Sequence, residues 1–172
     1  LTNVFEEGDV YFRTGDLMKR DAQGYFYFVD RIGDTFRWKS ENVSTNEVAE
    51  ALGVFEAVIQ ANVYGVEVAD YSGKAGMAAL IVDEGFDLQA LRAHVHRELP
   101  HYARPLFLRL HTEAPSEHTT GTFKLKKTDL VKEGWDPQKV GEPLYFDDPD
   151  TGAYVPMTDA LRAQILSGEK RV

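Results

Sequence analysis

The chain changes character in residues 30–44, which read DRIGDTFRWKSENVS. This segment places two arginines, a lysine, two aspartates and a glutamate around a single glycine, Gly33. An aromatic, strand-like pattern precedes it and a strong helix start follows it. Because charges at this density seldom lie in a core, the segment is predicted to be an exposed connection between two parts of the chain. A hairpin whose charges simply face water is the alternative, and spacing alone leaves both open.

Before this segment, the sequence predicts a β-hairpin. Residues 10–13 are β-prone, residues 14–16 have a turn pattern, and residues 21–24 predict a second turn that leads into the aromatic strand 25–29. Two strands on their own are only marginally stable in water. This opening part is therefore expected to belong to a larger sheet or to lie against one.

After Gly33, residues 35–43 predict a second short hairpin, and a helix is expected directly behind it. Ser44 and Glu47 have the spacing of a capping box, in which each side chain satisfies a free amide of the other residue. Apolar residues then recur at helical spacing and give the helix one buried stripe, formed by Val48, Ala51, Leu52 and Phe55.

Apolar runs farther along predict core strands at residues 58–66, 77–82 and 106–110. Between the second and third of these, Asp87 is predicted to cap a helix that Pro100 ends.

The last third of the chain is more polar. Residues 112–122 are predicted to form a loop and residues 128–133 a short helix, and the chain from Gly134 is acidic and loop-like until a small helix at 159–166. Strands interleaved irregularly with helices indicate the α+β class, with a short mixed sheet and about three helices.

Composition excludes several classes of function. The chain has 172 residues, no cysteine and a formal net charge of -9. The net charge argues against a nucleic-acid binder, which needs a basic surface, and no apolar run reaches the ~20 residues of a membrane-spanning helix. His94, His96 and His101 have irregular spacing that is more typical of surface residues than of ligands, so no metal site is predicted.

Three stretches together resemble the adenylate-forming enzymes, the superfamily of acyl-CoA synthetases, luciferases and peptide-synthetase adenylation domains. They are YFRTGDL at residues 11–17, VDRIGD at 29–34 with residues 43–48, and TGTFK at 120–124. Each is weak alone, but their order and spacing cover most of the chain. The forms GDTFRWK at residues 33–39 and ENVST at 41–45 are most similar to the very-long-chain acyl-CoA synthetase, or fatty-acid transport protein, branch.

The resemblance implies a reaction in two steps. A carboxylate attacks ATP to give an acyl-adenylate and pyrophosphate, and coenzyme A then takes the acyl group, while a small C-terminal domain rotates between the steps. By this resemblance, residues 1–32 are the tail of the large ATP-binding domain and residues 33–172 are the small domain with an acidic C-terminal extension. The phosphate loop, the acyl pocket and most Mg contacts belong to the large domain, so no turnover is expected from this chain by itself.

Asp16 and Arg31 match the superfamily's ATP-binding residues. A carboxylate offers two acceptors to the ribose diol, and the planar fork of an arginine suits the ribose and phosphate side. Without the resemblance, Asp16 is more typical of a cap or a surface charge, and Arg31 is more typical of an ion pair with Asp30 or Asp34. Lys124 matches the catalytic lysine, whose ammonium lowers the repulsion between the attacking carboxylate and the α-phosphate. The neighbouring Lys126 and Lys127 are alternatives, and the register of the KLKK run favours Lys124.

Gly33 falls where relatives hold the hinge between the two domains, and glycine can absorb a large backbone change. Arg37, Lys39, Ser40 and Glu41 lie on the loop that relatives swing toward the thioester-forming site. Arg37 stands where some relatives carry a lysine, and the backbone near Lys39 and Ser40 would line the pantetheine tunnel. Ser40 departs from the glycine that is common at its position.

The leading hypothesis is part of an ATP-dependent long- or very-long-chain fatty acyl-CoA synthetase, an AMP-forming acid–thiol ligase. Its partners would be a fatty acid, ATP, coenzyme A and the N-terminal domain of the same protein, in the cytoplasm. Two alternatives stay open: a ligase of the same superfamily for another carboxylic acid, and a non-catalytic α+β interaction module acting through the acidic segment after Gly134. The sequence leaves acyl chain length, oligomeric state and membrane association of the full-length protein open.

Overall fold

The computed structural model describes residues 2–11, 16–31, 35–111 and 127–172. The chain forms two compact units, Leu1–Asp34 and Thr35–Val172. The passage from one unit to the other therefore falls within the charged segment of residues 30–44.

The first unit contains an antiparallel hairpin of β1 (Asp16–Arg20) and β2 (Phe26–Arg31). Its turn is held by the Asp21 carboxylate, which accepts hydrogen bonds from the backbone amides of Gln23 and Tyr25 and from the Tyr27 hydroxyl. This confirms the predicted turn at 21–24. Asp16, which was predicted as a turn residue, is instead the first residue of β1.

The second unit begins with a hairpin of β3 (Thr35–Trp38) and β4 (Glu41–Ser44), which leads directly into α1 (Thr45–Gly53). The predicted cap is confirmed, because the Ser44 hydroxyl oxygen accepts a hydrogen bond from the Glu47 amide. Phe36 is buried on the inner face of the hairpin. A Cβ added to Gly65 would lie 2.7 Å from the Cβ of Phe36, so this glycine allows the hairpin to pack closely on the central sheet.

A five-stranded mixed sheet forms the centre of the second unit. Counted across the sheet, the second and third strands run parallel to each other, and every other pair of neighbouring strands is antiparallel. In spatial order the strands are β5 (Val58–Val66), β6 (Ala75–Val82), β7 (Phe107–His111), β8 (Leu144–Asp148) and β9 (Ala153–Pro156).

Three further α-helices lie in the described part of the second unit, namely α2 (Leu88–Glu98), α3 (Lys127–Glu133) and α4 (Asp159–Leu166), and a short 3₁₀-helix spans His101–Ala103. The crossover between the parallel strands β6 and β7 contains α2, since parallel neighbours cannot be joined by a tight turn. The predicted α+β class with a mixed sheet is confirmed, with four α-helices among the described residues where about three were expected.

The prediction that the chain is loop-like after Gly134 is wrong, because this segment supplies β8 and β9. Leu144 and Phe146 point into the core, and the acidic residues that follow are paired within the domain rather than left to solvent. Asp147 lies 2.6 Å from the Nε of Arg92, and Asp148 lies 2.6 Å from the Nζ of Lys170. The aspartates of β8 and of the turn after it are the reason that a loop was predicted here, although β9 itself carries no acidic residue.

His94 is also placed differently from the surface position expected of it. It is buried, and its Nε2 lies 2.7 Å from the carbonyl oxygen of Ala51. It thus joins α2 to α1 within the core. Along the described ranges, none of the helices has both the length and the apolar character needed to cross a membrane.

Candidate functional site

Asp16 and Arg31 lie directly opposite each other in the β1–β2 ladder. Opposed residues of an antiparallel pair lie on the same face of the sheet, with Cβ atoms about 5 Å apart. A shift in register between Leu17 and Met18 separates this pair from the regular part of the hairpin. The two residues predicted to bind ATP are therefore brought together by the backbone.

The tip of the β3–β4 hairpin carries the four residues predicted for the thioester step. Trp38 pairs with Glu41, which leaves Lys39 and Ser40 as a two-residue turn with φ of +48° and +70°. Positive φ at both central positions defines a type I′ turn, in which glycine is normally preferred. Non-glycine residues in this conformation cost about 1 kcal/mol each. Backbone strain is thus concentrated at the hairpin tip.

Two side chains at the tip fold back onto the hairpin. Arg37 Nη2 donates a hydrogen bond to the carbonyl oxygen of Ser40 at 3.1 Å. The Lys39 ammonium lies 5.7 Å from the centre of the Trp38 ring, within the range of a cation–π contact. The positions of Arg37 and Lys39 are therefore set by the hairpin itself, although both side chains are exposed.

Gly33 and Lys124 lie outside the described residues. The chain on either side of residues 112–126 is described: β7 ends at His111 and α3 begins at Lys127. The Nζ of Lys127 donates a hydrogen bond to the buried Thr45 hydroxyl at 3.0 Å. Lys127, an alternative to Lys124 in the sequence, is thereby engaged in joining α3 to α1.

A buried charge network that was not predicted from the sequence surrounds Arg109 on β7. Its guanidinium contacts the carboxylates of Glu133 and Glu142, and His111 Nε2 lies 2.8 Å from Glu142. Burial alone would raise the pKa of Glu142, but the hydrogen bond and positive charge of Arg109 outweigh it, and the pKa is lowered. The signal in the sequence that could have predicted this network is the pair Arg109 and His111, two positions apart in an otherwise apolar strand.

A basic pocket of about 220 Å³ lies beside the hairpin tip. Burial, followed by the charges of Lys39, Arg104 and His96, lowers the pKa of His101 in its wall. Asp147 is the one carboxylate side chain among the lining residues, and it lies against Arg92 and His96. The pocket thus presents an excess of positive charge in a protein whose net charge is negative. No group of three or more potential metal ligands occurs among the described residues.

Comparison with known proteins gives this geometry a context. Residues 47–124 match the family described as "AMP-binding enzyme C-terminal domain". Over its whole length the chain is 51% identical to mouse long-chain fatty acid transport protein 6, of which it spans 28%. Over 91% of its length it is 46% identical to the very long-chain fatty acid transport protein of Cochliobolus heterostrophus, of which it spans 25%.

Solved structures agree with the sequence relatives. O-succinylbenzoate CoA synthetase from Bacillus subtilis, in complex with its acyl-adenylate intermediate, matches with a TM-score of 0.51 and 29% identity. This match covers 60% of the present chain and 21% of the synthetase. The chain therefore spans about a quarter of the length of the relatives it matches, and it contains the AMP-binding C-terminal domain of an adenylate-forming enzyme.

Proposed function

We propose that the chain is the C-terminal part of an ATP-dependent long- or very-long-chain fatty acyl-CoA synthetase. The observation that carries this proposal is the direct opposition of Asp16 and Arg31 immediately before a domain of the AMP-binding family. The names of the most similar relatives, long-chain and very long-chain fatty acid transport proteins, support a fatty acid as the carboxylate.

In the first half reaction, this chain would contribute three side chains. The Asp16 carboxylate accepts hydrogen bonds from the ribose hydroxyls of ATP, and Arg31 donates to the ribose and phosphate side. Lys124 brings an ammonium to the attacking carboxylate and the α-phosphate, where it offsets their mutual repulsion and stabilises the charge of the transition state. The engagement of Lys127 with Thr45 supports Lys124 as the lysine with this role.

In the second half reaction, the β3–β4 tip would replace Lys124 at the acyl-adenylate. Gly33, next to the boundary between the two compact units, is the proposed hinge. Arg37 would face the reaction centre, while Lys39, Ser40 and Glu41 would line the path of the pantetheine arm. The turn is short and held by its own hydrogen bond, so it offers a fixed edge to that arm.

The basic pocket beside the tip supports coenzyme A as the acyl acceptor. Its cations are suited to the phosphate groups at the nucleotide end of coenzyme A, because charge-assisted hydrogen bonds to phosphate are roughly twice as strong as neutral ones. Lys39 is common to the pocket and the tip. One surface of this domain would thus meet both ends of the cofactor.

The test separates the two half reactions in the full-length protein. We expect Lys124→Ala to abolish adenylate formation, measured as fatty-acid-dependent ATP–pyrophosphate exchange, while thioester formation from a supplied acyl-adenylate is retained. Lys126→Ala, two residues away, is the matched control and should leave both rates near those of the unsubstituted protein. Equal loss of both half reactions in Lys124→Ala would contradict the role given to this lysine.

A ligase for another carboxylic acid is the second candidate, because acyl selectivity depends on residues beyond this chain. Exchange assays on the full-length protein with long-chain, short-chain and aryl acids would distinguish the two. Exchange that responds to an aryl acid but not to a long-chain acid would replace the fatty-acid assignment. It would leave the roles of Asp16, Arg31 and Lys124 intact.

A further inference from the structure

We infer that Gly73 is a positioning residue for the thioester-forming half reaction, acting through the β3–β4 tip. This inference rests on the function proposed above for Arg37, Lys39, Ser40 and Glu41. Gly73 belongs to the connection between β5 and β6, far from the tip in sequence. It forms an isolated β-bridge with Trp38, and its neighbour Lys74 donates a backbone hydrogen bond of 2.7 Å to the carbonyl oxygen of Arg37.

The contact between Gly73 and the tip leaves no room for a side chain. A Cβ at Gly73 would lie 2.2 Å from the carbonyl oxygen of Arg37 and 3.1 Å from its carbonyl carbon, whereas Cβ contacts below 3.0 Å essentially never occur. The group in the way is backbone, which cannot rotate aside as a flexible side chain would. Any larger residue at position 73 must therefore displace the strand that leads into the tip.

The backbone conformation of Gly73 adds a second requirement for glycine. Its φ is +95°, a value that residues with a Cβ rarely adopt. Among the described glycines whose φ is positive, Gly73 is the one whose added Cβ would meet backbone closer than 3.0 Å. Conformation and close approach therefore coincide at this position.

A ring contact also joins the loop between β5 and β6 to the β3–β4 tip. The Tyr71 ring packs against the buried Trp38 ring, with centroids 5.5 Å apart. Trp38 is the residue directly before the strained Lys39–Ser40 turn. Residues 71–74 thus hold one strand of the tip by a backbone hydrogen bond, a β-bridge and an aromatic contact, which fixes the tip relative to the central sheet.

This arrangement predicts an effect on one half reaction only. A displacement of about 1 Å at a site far from the reacting atoms can cost about 100-fold in rate, because the reacting groups lose their alignment. The tip is proposed to act in the thioester step, and the first step depends on Lys124, Asp16 and Arg31. Displacing the tip should therefore slow thioester formation and leave adenylate formation intact.

The experiment uses Gly73→Ala in the full-length protein. We expect thioester formation from a supplied acyl-adenylate to fall by about 10-fold or more, with fatty-acid-dependent ATP–pyrophosphate exchange nearly unchanged. Gly168→Ala is the matched control, because Gly168 also has positive φ, +74°, but a Cβ there meets no atom within 4 Å. It introduces the backbone strain without the displacement, so both half reactions should be retained.

If Gly73→Ala does not fold, Tyr71→Ala tests whether the loop between β5 and β6 positions the tip. It removes the ring contact with Trp38 without forcing the backbone apart, and it should give a smaller loss confined to thioester formation. Tyr71→Phe keeps the ring, loses only the hydroxyl and should behave like the unsubstituted protein.

Equal losses in both half reactions, or unchanged thioester formation in folded Gly73→Ala and Tyr71→Ala, would overturn the inference. If the unsubstituted full-length protein catalyses neither half reaction, the proposed function itself fails. Normal half reactions in the unsubstituted protein together with normal rates in both variants would reject the role of Gly73 alone.

Discussion

Asp16 and Arg31 occupy directly opposing positions in the β1–β2 ladder, although 14 residues separate them in the chain. The turn around Asp21 fixes where the second strand begins, and the shift in register between Leu17 and Met18 then places Arg31, rather than Asp30, opposite Asp16. A slip of one residue would move one member of the pair to the other face of the hairpin. The turn and the register shift together thus bring the two residues that are proposed to bind ATP to opposing backbone positions.

Substituting either residue of this pair is expected to weaken adenylate formation. Hydrogen bonds to charged groups contribute about 1.5–3 kcal/mol, so Asp16→Ala and Arg31→Ala in the full-length protein should each lower ATP–pyrophosphate exchange by roughly 10- to 100-fold. Because both residues are proposed to bind the same ATP molecule, the double variant should lose less than the product of the two effects. Lys19→Ala, at an exposed position of the same strand, should retain exchange. Full exchange in either single variant would remove that residue from the ATP site.

Ser40→Gly is expected to stabilise the second unit. Ser40 has a φ of +70°, where glycine avoids a steric cost of about 1 kcal/mol. Both tryptophans of the chain, Trp38 and Trp135, lie in this unit, so the urea midpoint can be followed by their fluorescence. Ser40→Ala keeps the strained backbone and should leave the midpoint unchanged. A midpoint that falls in Ser40→Gly would show that the serine side chain contributes more than the strain costs.

Removing the buried cation of the charge network is expected to destabilise the second unit strongly. Arg109 is 4% exposed and lies against two carboxylates, Glu133 and Glu142. Arg109→Met would leave those carboxylates without their common partner, at a cost of about 3 kcal/mol in the free energy of unfolding. Arg97→Met provides the comparison, since Arg97 is mostly exposed, pairs with the exposed Glu98 and makes one hydrogen bond with His94, so that the substitution should cost only about 1 kcal/mol. Similar losses in both variants would mean that burial does not set the importance of Arg109.

Local signals predicted most of the second unit correctly. The Ser44 cap, the Asp87 cap and the apolar runs of β5, β6 and β7 depend on residues within a few positions of one another. Each of these features is decided by backbone amides or apolar spacing close in sequence, so the sequence was sufficient to predict it.

Features that depend on distant partners were missed. Strand β8 ends in two aspartates, and their carboxylates are stabilised by Arg92 and Lys170, which lie far away in the chain. The network around Arg109 likewise joins β7, α3 and the segment just before β8. The positive φ of Lys39 and Ser40 follows from the two-residue turn and not from the identity of either residue. In the predicted site, the opposition of Asp16 and Arg31 could not be predicted either, because it depends on the register of the two strands.

The paired carboxylates of the second unit predict a loss of stability in acid. Burial alone would raise the pKa of Asp148, but the hydrogen bonds from Lys170 and from the Asp150 amide outweigh it, so the pKa is lowered below its usual value of 3.8. A carboxyl group whose pKa is lowered by folding stabilises the folded state above its unfolded pKa, and this contribution is lost as pH falls through the folded value. Lys170→Met should therefore be less stable than the unsubstituted protein at about pH 7, and the difference between their urea midpoints should shrink below about pH 3.8.

Lys139→Met, at a more exposed lysine 3.9 Å from Asp136, should show little difference at either pH. A gap for Lys170→Met that stays constant with pH would mean that the lysine stabilises the fold by packing rather than through the charge of Asp148.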